Sequence, residues 1–235
     1  MAAVDDEYLH HVSSNIVNNN YQQNIKWIPL SVSLVEYPQG DSLGLGLALI
    51  SLMPLALIVG FITLIAFRRD LHTICFFIGV IVTDIVGLFL KYTIKEARPM
   101  KRDVVYVEYG MPSTHSLLMW FFATYTALFV CLRWTIIGGC ATVAVLVSYS
   151  RIYLQYHTIS QVLCGFVVGI IMGVTWFFIT HLVLAPFFPI IVSRLSEFLL
   201  IRDSTLIPNV LWFEYTNIRT EARARSRKLV SMKSQ

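Results

Sequence analysis

The run from Leu43 to Phe67 contains no charged residue. At ~1.5 Å per helical residue it is long enough to cross a hydrocarbon core of ~30 Å. Arg68, Arg69 and Asp70 stop it, and four further apolar runs follow, at about 71–90, 116–132, 135–149 and 159–184. The pattern predicts an all-α polytopic membrane helix bundle of about five transmembrane helices, with interfacial helices at the C-terminus. Composition agrees: charged residues are 14% of the 235-residue chain and hydrophobic ones 56%, where a soluble domain carries about 25% charged residues. Mean hydropathy is +0.66. A net charge of +4 gives little support to a nucleic-acid partner, and the basic excess gathers near the C-terminus, as in a tail at a membrane surface.

Three regions are expected. Residues 1–42 form a flexible polar arm, with Asn18, Asn19 and Asn20 in a row and no apolar core that would mark a cleaved signal peptide. Residues 43–185 form the transmembrane core. Residues 186–235 form an interfacial segment and a basic tail, RTEARARSRK from Arg219, expected to be helical. Pro186 and Pro189 are expected to end the fifth span. The fourth run is short, and about 15 residues also suit a re-entrant segment; Gly138, Gly139, Ala141 and Ala144 suit it to close helix packing. Cys75, Cys131, Cys140 and Cys164 all lie in apolar runs without a C-x-x-C pair and read as reduced packing residues.

Span counting puts the loops at 91–115 and 150–158 on one membrane face. Arg68, Arg69, Arg133 and the tail fall on the other, which positive charge assigns to the cytosol. The first face therefore looks to the lumen or exterior, and it holds three clusters. Lys91-x6-Arg98-Pro99 places Lys91, Lys95 and Arg98 at i, i+4 and i+7, one face of a helix that Pro99 would end. A planar guanidinium fork and an ammonium suit phosphate oxygens; snorkelling of basic side chains at a helix end is the ordinary reading. Pro112-Ser113-Thr114-His115 reads as a helix start, an anion-binding position, or simply a cap with an interfacial histidine. Ser150-Arg151-x5-His157-x3-Gln161 offers a phosphate-binding Arg151, a nucleophilic His157 and, one helical turn on, a Gln161 that holds the other ring nitrogen and sets the tautomer; interfacial anchoring by Arg151, Tyr153, Tyr156 and His157 is the ordinary alternative.

Convergence on one membrane face raises the chemical reading above the ordinary ones. Three cations, a helix N-terminus and two histidines are what phosphoryl transfer requires without a metal. Cations stabilise charge on the equatorial oxygens, one histidine attacks phosphorus, and the other protonates the leaving oxygen and then activates water.

The three clusters resemble the signature of the type 2 phosphatidic acid phosphatase superfamily, K-x6-RP, PSGH and SR-x5-H-x3-D. The stretches YGMPSTHSLLMWFF, LVSYSRIYLQYHTISQVLCG and SEFLLIRDSTLIPNVLWFEYT are similar to the branch of that superfamily acting on dolichyl diphosphate, over most of residues 30–230. The resemblance implies His157 as nucleophile and His115 as general acid and base. It implies Lys91, Arg98, Ser113 and Arg151 as phosphate ligands; Thr114 beside them is expected to join the substrate-binding set, and Gln161 to orient His157. It further implies an endoplasmic reticulum membrane enzyme with a lumenal site. Its substrate would be dolichyl diphosphate in the surrounding membrane lipid, and its role the recycling of the lipid carrier of protein N-glycosylation.

Two positions depart from the superfamily pattern. Thr114 stands for Gly, adding bulk and a hydroxyl. Gln161 stands for Asp, so the residue that orients the histidine carries no negative charge. The expectation is that a diphosphate, with its good leaving group, tolerates a neutral orienter, and that Gln161→Asp would not markedly improve its cleavage. Asp84, inside the second span, reads as a bundle-interior group with its own partner, and Lys95 as an interfacial, solvated cation. His10, His11, His72 and His181 have no ligand-like spacing. With no H-E-x-x-H, Walker or carboxylate-cluster motif, no metal or cofactor is expected, nor an obligate protein partner. The same motifs also fit a lipid monophosphatase acting on phosphatidate or sphingoid phosphates, and, less well, a non-catalytic scaffold with a decayed site.

Overall fold

The computed structural model describes residues 27–30, 35–100, 109–130, 133–201, 203 and 210–233. The Asn triplet of the arm, His10, His11 and Cys131 lie outside the described residues. The elements run β1 (Trp27–Pro29), β2 (Glu36–Pro38), α1 (Ser42–Ile50), α2 (Met53–Arg68), α3 (Leu71–Ile94), α4 (Thr114–Val130), α5 (Trp134–Tyr153), α6 (Ile159–Phe178), a π-helical stretch Ile179–Leu184, a 3-10 turn Ala185–Phe187, α7 (Phe188–Leu199) and α8 (Val210–Lys233). Among the described residues, four helical stretches are long and apolar enough to cross a membrane: Ser42–Arg68, Leu71–Ile94, Trp134–Tyr153 and Ile159–Arg194. The apolar helix α4, with 17 residues, is shorter.

Several boundaries differ from expectation for local reasons. The first span breaks at Ser51–Leu52. Pro54 lacks the N–H that would continue the ladder, and the Ser51 hydroxyl instead caps the Ala48 carbonyl at 2.7 Å. The fourth run extends to 20 residues and, at ~30 Å, is a full span rather than a re-entrant turn. Pro186 and Pro189 do not end helical structure. One sits in the 3-10 turn and the other in the first turn of α7, where a missing N–H breaks no bond.

Contacts divide the chain into two compact units, one of Met1–Ile58 with Gly79–Phe177, the other of Val59–Ile78 with Phe178–Gln235. The first unit is inside-out in the manner of a membrane bundle. Thr83, Ser116, Ser148 and Gln161 are buried, while Leu55, Ile85, Leu163 and Ile171 are exposed. Its packing turns on a stripe of glycines along α6. A Cβ on Gly165 would lie 2.7 Å from the Ser113 carbonyl oxygen, one on Gly169 2.6 Å from that of Leu117, and one on Gly173 2.9 Å from Thr124 Cβ. Only hydrogens fit there, so α4 and α6 touch backbone to backbone. The small residues expected to do this work in α5 do not all do so. Ala144 is buried in a cluster with Met119, Ala123 and Val147, but a Cβ at Gly138 or Gly139 would meet nothing within 4 Å.

Polar bonds tie the same helices together below the site. Ser116 donates to the Val162 carbonyl (3.0 Å), Ser148 to Ser116 (3.2 Å) and the Trp120 indole to Ser148 (3.2 Å), linking α4, α5 and α6.

The flexible arm expected over residues 1–42 is not what residues 27–30 and 35–41 form. Strands β1 and β2 pair antiparallel, with Ile28 opposite Tyr37. Asp41 then caps α1 through the Leu43 amide (3.0 Å) and accepts from the Tyr153 hydroxyl (2.8 Å). Val35 and Tyr37 pack against buried Ala48, Leu154 and Tyr156.

The second unit has its own core of Leu71, Cys75 and Phe188. His72 and His181 stack edge to face at 5.4 Å, and Arg68 pairs with Glu214 of α8 at 3.3 Å. Cys75 is buried in that core, and Cys140 and Cys164 of the first unit are free thiols.

Candidate active site

Every residue singled out in the three clusters belongs to the first unit. The first cluster assembles differently from expectation. Helix α3 stops at Ile94, five residues before Pro99. Lys95 takes a left-handed conformation (φ 54°) that ends the helix. Arg98 therefore approaches not along a helical face but from an extended segment in which Ala97 bridges Tyr109 and the Glu96 carbonyl accepts from the Gly110 amide at 2.7 Å. Lys95 is exposed. Lys91, in the last turn of α3, is buried and donates to the Thr114 hydroxyl. The hydroxyl at the position that departs from the superfamily pattern thus holds a cation in place. Asp84 lies within electrostatic reach of Lys91.

The second cluster opens α4, whose first N–H groups have no intrahelical acceptor. Ser113 donates its amide to the Gln161 carbonyl at 3.1 Å. Its hydroxyl is fully buried, and among the described residues nothing bonds to it. A buried hydroxyl without a partner is costly, and a phosphate oxygen would satisfy it. His115 lies within electrostatic reach of Arg151, His157, Lys91 and Arg98.

The third cluster is placed by the turn after α5. Gln155 adopts φ 58°, and the Tyr156 and His157 amides both donate to the Arg151 carbonyl, at 3.0 and 3.1 Å. This pair of hydrogen bonds folds the His157 backbone back onto that of Arg151. The Arg151 guanidinium lies 4.1 Å over the Tyr156 ring, and the Tyr156 hydroxyl accepts from the Glu36 amide at 2.8 Å. Strand β2 thus buttresses the residue behind Arg151.

Gln161 fixes the chemistry of His157. Its Oε1 accepts from the Thr158 amide (3.3 Å) and its Nε2 donates to the Ala97 carbonyl (2.8 Å) and to Glu96 (3.0 Å). Those partners leave no freedom to exchange O and N. His157 Nδ1, 3.1 Å from Oε1, must therefore carry the hydrogen, and Nε2 carries the lone pair. Nε2 lies 3.5 Å from Arg98 Nη1, and the same guanidinium nitrogen donates to the Tyr156 carbonyl at 3.4 Å. Burial, then the positive charges of Arg151 and Arg98, push the His157 pKa well below the usual 6.5, with Gln161 opposing and Lys91 adding to the fall. The imidazole is neutral at physiological pH. Lys91, Arg151, His157, Ser113 and Gln161 are buried, while Arg98, Thr114 and His115 are half-buried. Among the described residues, no three His, Cys, Asp or Glu side chains gather as a metal site would require.

The PAP2 superfamily model matches residues 72–185, a span that contains all of these groups. A protein named dolichyldiphosphatase 1, from Rhinolophus ferrumequinum, is 50% identical over 221 residues, covering 86% of this chain and 93% of the relative. The chain belongs to the dolichyldiphosphatase family of the PAP2 superfamily. It is accordingly a multi-pass membrane phosphatase. Another relative, lipid phosphate phosphatase gamma of Arabidopsis thaliana, is 39% identical over 87% of this chain and 95% of its own. The fold is also that of the solved PAP2 type phosphatidylglycerolphosphate phosphatase from Bacillus subtilis, at TM-score 0.52 and 21% identity, covering 62% of this chain and 80% of that one.

Sequence reasoning misses two features of this PAP2 site. The glycine stripe Gly165-x3-Gly169-x3-Gly173 is visible as small residues at i, i+4 and i+8 in the fifth apolar run. The contact between Glu96 and Gln161 has no such signal, because it depends on where α3 stops.

Proposed function

We propose that this protein hydrolyses dolichyl diphosphate to dolichyl phosphate and inorganic phosphate through a phosphohistidine on His157. The observation that carries the reading is the tautomer of His157: a neutral ring with its Nε2 lone pair turned toward a guanidinium. In the first step Nε2 attacks the terminal phosphorus. The N–P bond forms, the bond from phosphorus to the bridging oxygen breaks, and dolichyl phosphate leaves with a proton from His115. In the second step His115 takes a proton from water, whose oxygen attacks the phosphohistidine. The N–P bond breaks and phosphate departs, one water being consumed.

Lys91, Arg98 and Arg151 balance the charge of the transferring group. The Ser113 hydroxyl and the first N–H groups of α4 bind its oxygens, and Thr114 keeps Lys91 aimed. Gln161 holds the tautomer. The choice of dolichyl diphosphate is supported by the names borne by relatives of about 50% identity. The name of the Arabidopsis relative favours a second reading, hydrolysis of lipid monophosphates such as phosphatidate or sphingoid phosphates. Purified protein given both classes separates the two. A kcat/KM higher for the diphosphate supports the first, and preference for the monoesters refutes it.

The site is proposed to face the lumen of the endoplasmic reticulum, where the reaction would recycle the lipid carrier of N-glycosylation. The cytosolic bias of basic loops supports this sidedness. In sealed microsomes a C-terminal tag should be open to added protease, and a protected tag would reverse the assignment.

A further inference from the structure

The superfamily pattern puts a carboxylate at the position of Gln161, and the amide that stands there has no charge. The structure supplies one nearby. Gln161 is fully buried, and both ends of its amide are engaged: Oε1 with His157 Nδ1 and the Thr158 amide, Nε2 with Glu96 Oε1 and the Ala97 carbonyl. We infer that Glu96 is a positioning residue that delivers, through the Gln161 amide, the negative charge that the superfamily pattern places at residue 161. The inference rests on the reading of His157 as the nucleophile.

The arrangement is built rather than incidental. The left-handed Lys95 ends α3 just before Glu96. The Glu96 carbonyl receives the Gly110 amide and Ala97 bridges Tyr109, so the backbone on either side of Glu96 is pinned. A Cβ at Gly110 would lie 2.5 Å from Gln161 Oε1 and 2.7 Å from its Cδ and Nε2, so the loop closes directly onto the amide. The other charged and titratable groups facing His157 are Lys91 from α3, Arg98 from the segment after it, His115 from α4 and Arg151 from α5. All are cations or imidazole. Among the described residues, Glu96 is the acidic side chain bonded to the His157–Gln161 pair.

Hydrogen bonding couples the three groups in one direction. A carboxylate accepting from Nε2 polarises the amide and makes Oε1 a stronger acceptor. A stronger acceptor at Nδ1–H raises electron density at the attacking Nε2 and stabilises the positive ring that forms when phosphorus is bound. A neutral acceptor in place of Glu96 would keep the geometry and lose this effect.

The test is a set of variants assayed for phosphate release from a polyprenyl diphosphate in detergent, with pH profiles of kcat. Glu96→Gln should lower kcat about tenfold with KM unchanged, the order set by one charge acting through an intervening amide. Its acid limb should move to lower pH, because the charge that favours the protonated ring is gone. Glu96→Asp should keep the acid limb of the wild type. The double variant Glu96→Gln/Gln161→Asp restores a carboxylate against Nδ1 and should recover both kcat and the acid limb. Three results would overturn the inference: wild-type kcat and acid limb in Glu96→Gln, the same shift in Glu96→Asp as in Glu96→Gln, or a double variant no better than Glu96→Gln alone. Should Glu96→Gln not fold, Glu96→Asp and the double variant carry the test. Wild-type turnover that is absent, or that survives His157→Ala, refutes the nucleophile reading instead; with both controls intact the series bears on Glu96 alone.

Discussion

Replacing Gly169 with Ala adds one methyl group at the tightest of the three glycine contacts between α6 and α4. The new Cβ would stand 2.6 Å from the Leu117 carbonyl oxygen, 2.9 Å from Trp120 Cβ and 3.1 Å from the Phe121 amide nitrogen. Two of these are backbone atoms and the third is a Cβ, so no rotamer change relieves them. Ordinary contact begins at 3.4 Å, and α4 must move off α6 by about 0.8 Å, enough to forfeit a quarter or more of each dispersion contact. The overpacking cost is about 1–3 kcal/mol. A shift of that size reaching Ser113 takes its 3.1 Å bond to Gln161 out of hydrogen-bonding range, and misplacing a catalytic group by ~1 Å costs about 10²-fold in rate. The control is Gly138→Ala, also helical, where a Cβ meets nothing within 4 Å; it should be neutral or stabilising by about 0.5–1 kcal/mol. Thermal unfolding in detergent and kcat on a polyprenyl diphosphate read both effects. If the two alanine variants behave alike, close packing of α4 on α6 does not position the site.

Three further outcomes are expected. His157→Ala should lower kcat by about 10³-fold or more, and His115→Ala by about 10²–10⁴-fold, measured as phosphate release in EDTA; full activity in either would remove that residue from the mechanism. Because the His157 pKa lies below 6.5, the acid limb of kcat/KM should fall below pH 6.5. The unfolded ring binds the extra proton first, so stability should rise with pH between the folded and unfolded values and fall as the pH drops from 6.5; a limb above 6.5 contradicts the cationic site. Tyr156→Phe keeps the ring under Arg151 but removes the acceptor for Glu36, so it should cost about 0.5–1.5 kcal/mol of stability with kcat little changed, whereas Tyr156→Leu should lower kcat.

Much of the site was legible because its chemistry is carried by residue types at short, fixed spacings. Lys91 and Arg98, Ser113 through His115, and Arg151 through Gln161 each lie within one local segment, and the fold of the first unit brings the segments together. What spacing could not convey is backbone departure from regular helix. Lys95 and Gln155 adopt left-handed conformations that no glycine announces. They decide that Arg98 arrives on an extended segment and that His157 folds back on Arg151. The strands at 27–29 and 36–38 are three residues each, too short to show alternation; Tyr37 of the second packs against Leu154 and Tyr156, and the first pairs with the second. The small residues of α5 misled because composition does not say which helix face meets a neighbour. The glycines of α6 recur every four residues and so fall on one face.

The central claim is that phosphorus passes through His157 on its way to water. Rapid quench of the enzyme with a polyprenyl diphosphate radiolabelled at the terminal phosphate tests it most directly. Protein-bound label that is stable in alkali, labile in acid and mapped to the peptide holding His157 is the expected result, with more of it accumulating in His115→Ala if that variant slows attack by water. Label that persists in His157→Ala, or turnover with no protein-bound label at any quench time, would contradict the account.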